Sequence, residues 1–289
     1  MKIGLLISGN LGKIVFDHLA NRHSIVFVMT NSKSVEIIEE CKEKKIKTFT
    51  GNPRDNRVTD FINNIKIEVL ISVNYLFLIE RNLINLPSIL AFNIHGSLLP
   101  KYRGRTPHVW AIINGEKETG ITAHEISLGC DEGDILHQTR IKIRDEDTGG
   151  DLLLRFKNEY IKIVDLILEK ISNGTLVKIK QKNCCSSFFD KRTPEDGNIN
   201  WNLSMKQIKN WVRAQAYPYP GAFTYYDSKK VIIDKVSLTN FVLDKNILNG
   251  TIVLNDNHIY VKVKDGFLGI NKIRNTVSFK DLTSFKYEN

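Results

Sequence analysis

Asn93 and His95 stand two positions apart in Phe92-Asn93-Ile94-His95-Gly96, and Asp131 follows within Gly129-Cys130-Asp131-Glu132-Gly133. On an extended strand, residues two apart point to the same side. An asparagine amide can donate to a developing oxyanion. A histidine near neutral pKa can take or give a proton. Asp131 can orient that histidine and stabilise its cationic form. These are the groups needed to pass an acyl or formyl unit directly to an amine, with no Ser or Cys nucleophile. The same trio could also be structural, because a histidine at a strand end is commonly a satisfied core group.

Positioning such groups requires a buried strand that ends at a loop. Ile89 to Ile94 reads as that strand, and a turn-rich loop rich in Gly, Pro and basic residues follows it. Upstream, apolar strand runs (Ile3 to Ser8, Ser24 to Met29, Ile46 to Phe49, Glu68 to Val73) alternate with helical runs (Lys13 to Ala20, Val35 to Lys45, Thr59 to Ile65). That alternation predicts βαβ units and an α/β, Rossmann-like, doubly wound, mostly parallel sheet. In such sheets ligands bind at the carboxyl ends of strands. Gly9 and Gly12 mark a tight strand-to-helix turn. They do not form a dinucleotide fingerprint, since the first glycine and the acidic residue closing the second strand are missing. Downstream, His108 to Asn114 reads as a helix, Ile121 to Ile126 and Ile135 to Ile143 as strands, and Asp151 to Ile171 as a helix stopped by Asn173-Gly174. A polar stretch precedes a short helix at Met205 to Ala216. Short strands then follow at Val231 to Leu238, Gly250 to Leu254, His258 to Val263 and Phe267 to Ile270, as in a small β-barrel of OB-like type. The expected division is 1–190 for the Rossmann-like domain, 191–200 for a linker and 201–289 for the helix plus barrel.

The chain has 289 residues, 42% hydrophobic and 25% charged, so a sizeable core is expected. Its net charge of +9 admits an anionic partner without choosing one. The lysines are dispersed, as on a solvated basic surface. Four cysteines, with no Cys-x-x-Cys pair, fit a reduced, cytoplasmic protein. The apolar run at the N-terminus is too short for a signal peptide, and no stretch is long enough for a membrane span. His95, His108, His124 and His137 lie near Cys130 and Asp131, but none has zinc-site spacing, so no metal is expected.

The segment Asn93-x-His95-x-Ser97-Leu98-Leu99-Pro100, then Tyr102-Arg103-Gly104, Glu116, Thr119-Gly120 and Asp131-Glu132-Gly133, resembles the formyltetrahydrofolate-dependent formyltransferases. The resemblance implies Asn93, His95 and Asp131 as the catalytic trio. It implies N10-formyltetrahydrofolate as donor, held near Tyr75, Leu76, Phe77, Leu78, Gly129 and Cys130. It also implies contacts to the acceptor from the loop Ser97, Lys101, Tyr102, Arg103, Gly104 and Arg105, although Lys101 could be only a solvated charge.

Two acceptors compete, an amino sugar on a nucleotide and methionyl-tRNA. The transfer-RNA enzymes carry a basic loop after the second strand, and this chain has Thr30-Asn31-Ser32-Lys33-Ser34 there, short and weakly basic. Nucleic acid is therefore not the expected partner. The segments Arg192-Thr193-Pro194-Glu195-Asp196-Gly197 and Pro220-Gly221-Ala222-Phe223 are similar to the sugar-nucleotide N-formyltransferases, including the formyltransferase half that acts on UDP-4-amino-4-deoxyarabinose. The expected substrate is a nucleotide-linked amino sugar, dTDP-linked with a 3- or 4-amino group, used for O-antigen or another surface glycan. Arg105 and Arg192 could pair with its pyrophosphate. Tyr219 or Phe223 could stack on the base or instead pack between the two domains. A homodimer through exposed sheet edges is a further expectation.

Overall fold

The computed structural model describes residues 1–243, 246–275 and 277–286. In chain order the strands and helices are β1 (Lys2–Ile7), α1 (Gly9–Ala20), β2 (Ser24–Thr30), α2 (Val35–Glu43), β3 (Lys47–Thr50), α3 (Arg57–Ile62), β4 (Ile67–Val73), α4 (Arg81–Ile84), β5 (Pro87–His95), β6 (Arg103–Gly104), α5 (Pro107–Ile113), β7 (Glu118–Glu125), β8 (Ile135–Lys142), α6 (Gly149–Ser172), β9 (Phe188–Phe189), α7 (Met205–Ala214), β10 (Ala222–Tyr226), β11 (Lys229–Leu238), β12 (Ile252–Asn255), β13 (His258–Val263) and β14 (Gly266–Ile273). They form two compact units. The first comprises 1–104, 119–141 and 155–189, and the second comprises 105–118, 142–154 and 190–289.

The first unit carries a seven-stranded sheet in the order β3-β2-β1-β4-β5-β7-β8. The first five strands are parallel. β1 and β4 are apolar almost throughout because both faces of a parallel sheet are covered. β7 runs antiparallel to β5 and pairs Asn93 with His124 and His95 with Thr122. One buried cluster gathers Leu6, Phe27, Met29, Leu70 and Ala91. In α6, Phe156, Tyr160, Ile163, Val164 and Ile167 are buried at helical spacing. Gly174, at φ +65, turns the chain out of that helix, as the sequence anticipates.

The second unit carries a five-stranded antiparallel sheet, β10-β11-β14-β13-β12. Residues 282–286 bond to both of its edges. Leu282 N–H donates to the Ile252 carbonyl and Ile252 N–H to the Thr283 carbonyl, while Tyr225 and Lys286 exchange main-chain bonds. The terminal segment thus closes the sheet as a barrel and satisfies edges that would otherwise be exposed. α7 begins in a capping box, in which Ser204 accepts from Gln207 N–H and the Gln207 side chain accepts from Ser204 N–H. Its Ile208 and Val212 are buried with Trp201, Val231, Leu268 and Phe285. β10, at Ala222–Tyr226, is a strand beyond those the sequence pattern predicts. The two prolines and Gly221 before it masked a strand only five residues long.

Phe285 ties the closing segment to this core, 5% exposed and stacked on Trp201 with centroids 5.3 Å apart. Phe285→Ala is expected to cost about 3–5 kcal/mol. The expected reading is a lower urea midpoint in tryptophan fluorescence, and an unchanged midpoint would argue against closure by this segment.

Candidate active site

β5 ends at His95, and the chain then turns through the basic loop. The register with antiparallel β7 sets Asn93 beside His124, with Asn93 Nδ2 and His124 Nε2 3.0 Å apart. His124 Nδ1 lies 2.8 Å from the Glu125 carbonyl. His95 is also held by main chain, its Nε2 being 2.7 Å from the Tyr102 carbonyl. A carbonyl only accepts, so His95 carries a hydrogen on Nε2 and His124 one on Nδ1.

Asp131 faces both rings. Its Oδ2 is 3.5 Å from His95 Nδ1 and its Oδ1 3.5 Å from His124 Nε2. Oδ2 also accepts from Gly104 N–H at 2.9 Å. Burial alone would raise the Asp131 pKa. The two imidazoles and the Gly104 N–H outweigh burial and hold the carboxyl far below the usual carboxylate range. The Asp131 backbone is left-handed, at φ +55. A charged group fixed at such a backbone needs support from its surroundings.

Gln181 supplies that support. Its Nε2 donates to the Asp131 and Gly133 carbonyls, each at 2.8 Å. Its Oε1 accepts from Arg103 Nη2 at 2.8 Å. Gln181 therefore joins the Asp131 loop to the loop after β5. Two glycines permit the close approach of chains here. A Cβ on Gly104, at φ +96, would lie 2.2 Å from the Phe189 carbonyl, and one on Gly133 would lie 1.9 Å from the Glu125 carbonyl.

The remaining expected residues fall into distinct places. Ser97 is fully buried, and its hydroxyl donates to the Lys101 carbonyl as a strut inside the loop. Tyr102 stacks on Phe189 at 5.1 Å. Arg103 is 6% exposed, committed to Gln181 and 3.4 Å from Glu132. Lys101 is exposed. Tyr75 and Ile126, which open the loops after β4 and β7, pack on one cluster. Leu76, Leu78 and Leu128 in those loops expose apolar side chains, Phe77 sits edge-on to Tyr75, and the buried Tyr75 hydroxyl has no hydrogen-bond partner among the described residues. Cys130 Sγ is 3.5 Å from Asp131 Oδ2, and Gly129 precedes it.

Arg105, Arg192, Tyr219 and Phe223 belong to the second unit. Arg105 is exposed. The Arg192 guanidinium lies between the rings of Trp110 and Trp211, at 4.8 and 4.7 Å. It also donates to the Asp196 carbonyl and Gln215 Oε1. Thr193, Pro194 and Asp196 form a self-capped turn beside it. The Tyr219 hydroxyl meets His108 Nε2 at 2.5 Å, and burial pushes its pKa up to about 12. Phe223, offered by the sequence as a platform for a base, is 4% exposed, with the Lys230 ammonium 3.7 Å from its ring centroid. All three side chains are thus engaged in packing within their own unit.

Sequence spacing pointed to Asn93, His95 and Asp131 but not to His124 or Gln181. The antiparallel direction of β7 was the missing signal for His124. Gln181 stood in a polar stretch with no pattern to distinguish it. Among the described residues no group of three or more His, Cys, Asp or Glu is arranged to hold a metal ion, and no helix is long and apolar enough to cross a membrane.

A family model described as formyl transferase matches residues 1–166, and one for the formyl transferase C-terminal domain matches 191–283. The bifunctional polymyxin resistance protein ArnA of Wigglesworthia glossinidia brevipalpis is 35% identical over 81% of this chain, and the match spans only 35% of that longer relative. A methionyl-tRNA formyltransferase of Ruminiclostridium cellulolyticum is 34% identical over 77% of this chain and 72% of the relative. Among solved structures, WlaRD, a sugar 3N-formyl transferase determined with dTDP and 5-N-formyl-THF, aligns with TM-score 0.72 and 25% identity over 96% of this chain and 99% of that one. An N-formyltransferase from Helicobacter canadensis shares the fold, with TM-score 0.73 and 22% identity over 93% of this chain and 97% of that one.

The depressed Asp131 pKa sets the sign of a pH effect. Ionised Asp131 favours the native state above its ordinary value of 3.8, and that contribution is lost as pH falls toward the native pKa. The stability of wild type relative to Asp131→Asn should be level above about pH 5 and should decline below it. Urea titrations of both proteins check this, and a difference that grows on acidification would contradict the assignment.

Proposed function

This chain belongs to the formyl transferase family, and on that premise we propose that it transfers a formyl group from N10-formyltetrahydrofolate to the amine of a nucleotide-linked amino sugar. The observation that carries the chemistry is the convergence of Asn93, His95 and Asp131 at the end of β5. The Asn93 amide donates to the oxyanion that forms when the amine attacks the formyl carbon. The amine must then lose a proton. His95 Nε2 is committed to the Tyr102 carbonyl, so Nδ1 is the basic nitrogen, with Asp131 beside it to stabilise the imidazolium. Collapse of the tetrahedral carbon breaks the bond to the folate nitrogen, which takes up the proton from His95, leaving the N-formyl sugar and tetrahydrofolate.

The residues at the strand ends fit such a donor. Leu76, Leu78 and Leu128 offer apolar contact to a planar ring, and the unpartnered Tyr75 hydroxyl, with the backbone near Gly129 and Cys130, offers polar contact. The loop from Ser97 to Arg105 would then face the acceptor.

For the acceptor, the likeness to the sugar 3N-formyl transferase along nearly the whole of both chains supports an amino sugar. We favour a dTDP-linked 3- or 4-amino sugar and a cytoplasmic role in making O-antigen or a similar surface glycan. The methionyl-tRNA formyltransferase relative supports the alternative acceptor.

Purified enzyme, N10-formyltetrahydrofolate and a panel of dTDP-, UDP- and GDP-linked amino sugars, beside methionyl-tRNA, decide between the two. Turnover is expected with a nucleotide sugar, and turnover with methionyl-tRNA alone would reverse the choice. Asn93→Ala and His95→Ala should each lower kcat by about 100- to 1,000-fold with the fold intact. A near-normal rate in folded His95→Ala would remove His95 from the mechanism.

A further inference from the structure

Asn93 can serve an oxyanion only if its amide nitrogen, and not its oxygen, points at the reacting carbonyl. The two ends of an amide are nearly identical in shape, so packing alone sets this orientation poorly, and a hydrogen-bond partner must decide it. The partner is His124. Its ring is 3% exposed, and its Nδ1 hydrogen is committed to the Glu125 carbonyl. Neutral His124 therefore presents a lone pair at Nε2, and an acceptor there selects the Nδ2 end of Asn93, which lies 3.0 Å away.

We propose that His124 is a positioning residue, held as the neutral Nδ1–H tautomer, which points the second amide hydrogen of Asn93 at the substrate. Its catalytic consequence rests on the formyl transfer proposed above, whereas the tautomer does not. An imidazolium at His124 would donate from Nε2, would draw the Asn93 oxygen toward itself and would turn the amide the wrong way. The nearest polar atom to His124 Nε2 is the Asn93 amide nitrogen, at 3.0 Å, which calls for an acceptor there. Asp131 is the only carboxylate bonded or ion-paired to either ring among the described residues; its Oδ2 is shared between Gly104 N–H and His95 Nδ1, and its Oδ1 stands farther from His124 Nε2, at 3.5 Å. The His95 ring centroid lies 6.5 Å from that of His124, so two imidazoliums would repel each other beside a single carboxylate. β7 supplies this geometry by running antiparallel, because the register places Asn93 directly opposite His124.

The test uses the full chain with His124→Phe and His124→Gln, each checked for fold by thermal melting. In His124→Phe the acceptor is gone, and kcat should fall about ten- to a hundredfold while KM for the formyl donor stays unchanged. In His124→Gln the side-chain carbonyl can accept from Asn93, and part of the rate should return. Independently of activity, histidine 15N–1H correlation spectra at about pH 7.5 should show His124 protonated on Nδ1 only, with its signals assigned by their loss in the variants. A wild-type kcat in His124→Phe, or a proton on His124 Nε2, overturns the proposal. Absence of formyl transfer by the wild type to every acceptor would defeat the proposed function instead, and the spectra would still decide the state of His124.

Discussion

A carboxylate removed from water must be paired, and the geometry around Asp131 follows from that requirement. Its side chain is 12% exposed, so it is paired locally with a main-chain N–H from Gly104 and with the His95 imidazole. Each demand propagates. Gly104 must approach closely, so the chain there admits no Cβ. The left-handed backbone at Asp131 must be held, so Gln181 binds the carbonyls on either side of Glu132 and reaches Arg103 with its other end. The imidazoles must each present one nitrogen to the reaction zone, so each anchors its other nitrogen on a carbonyl. A single buried charge thereby ties together β5, β7, the Arg103–Gly104 strand β6, and a residue far along the chain.

The chemistry proposed for this site needs two opposite properties from neighbouring side chains. One group must donate a hydrogen without becoming charged, and another must gain a proton. Asn93 and His95 lie on the same side of one strand, so they share an environment, and the difference between them comes from their partners. His95 faces a carboxylate that would stabilise an added proton. Asn93 faces a ring nitrogen that accepts a hydrogen bond. Partner identity, more than burial, separates the two roles.

The second unit illustrates a different use of charge. Arg192 was attractive as a phosphate ligand because a guanidinium matches phosphate geometry. The same planar group also stacks well on indoles, and here it lies between Trp110 and Trp211 with its hydrogens directed at Asp196 and Gln215. Thr193, Pro194 and Asp196 complete a local turn. The Arg-Thr-Pro-Glu-Asp-Gly stretch is thus physically accounted for as a folded corner of its own unit.

Much of the fold was legible in the residues. Apolar runs marked β1, β2 and β4, and three- and four-residue periodicity marked α6, because burial on both faces of a strand or one face of a helix leaves a local record. The trio was legible for the same reason, since a polar pair two apart at the end of an apolar strand is a local pattern. By itself the sequence determined the parallel half of the sheet, the short strands β11 to β14 of the second unit and the residues that could do the chemistry. Only the tertiary structure decided that β7 turns antiparallel and sets His124 against Asn93, that Gln181 braces Asp131, that residues 105–118 and 142–154 cluster with the C-terminal part, and that Arg192 lies between two tryptophans. The physical reason is common to all four. Strand direction, cross-strand register and side-chain partners distant in sequence depend on pairings that no local period encodes.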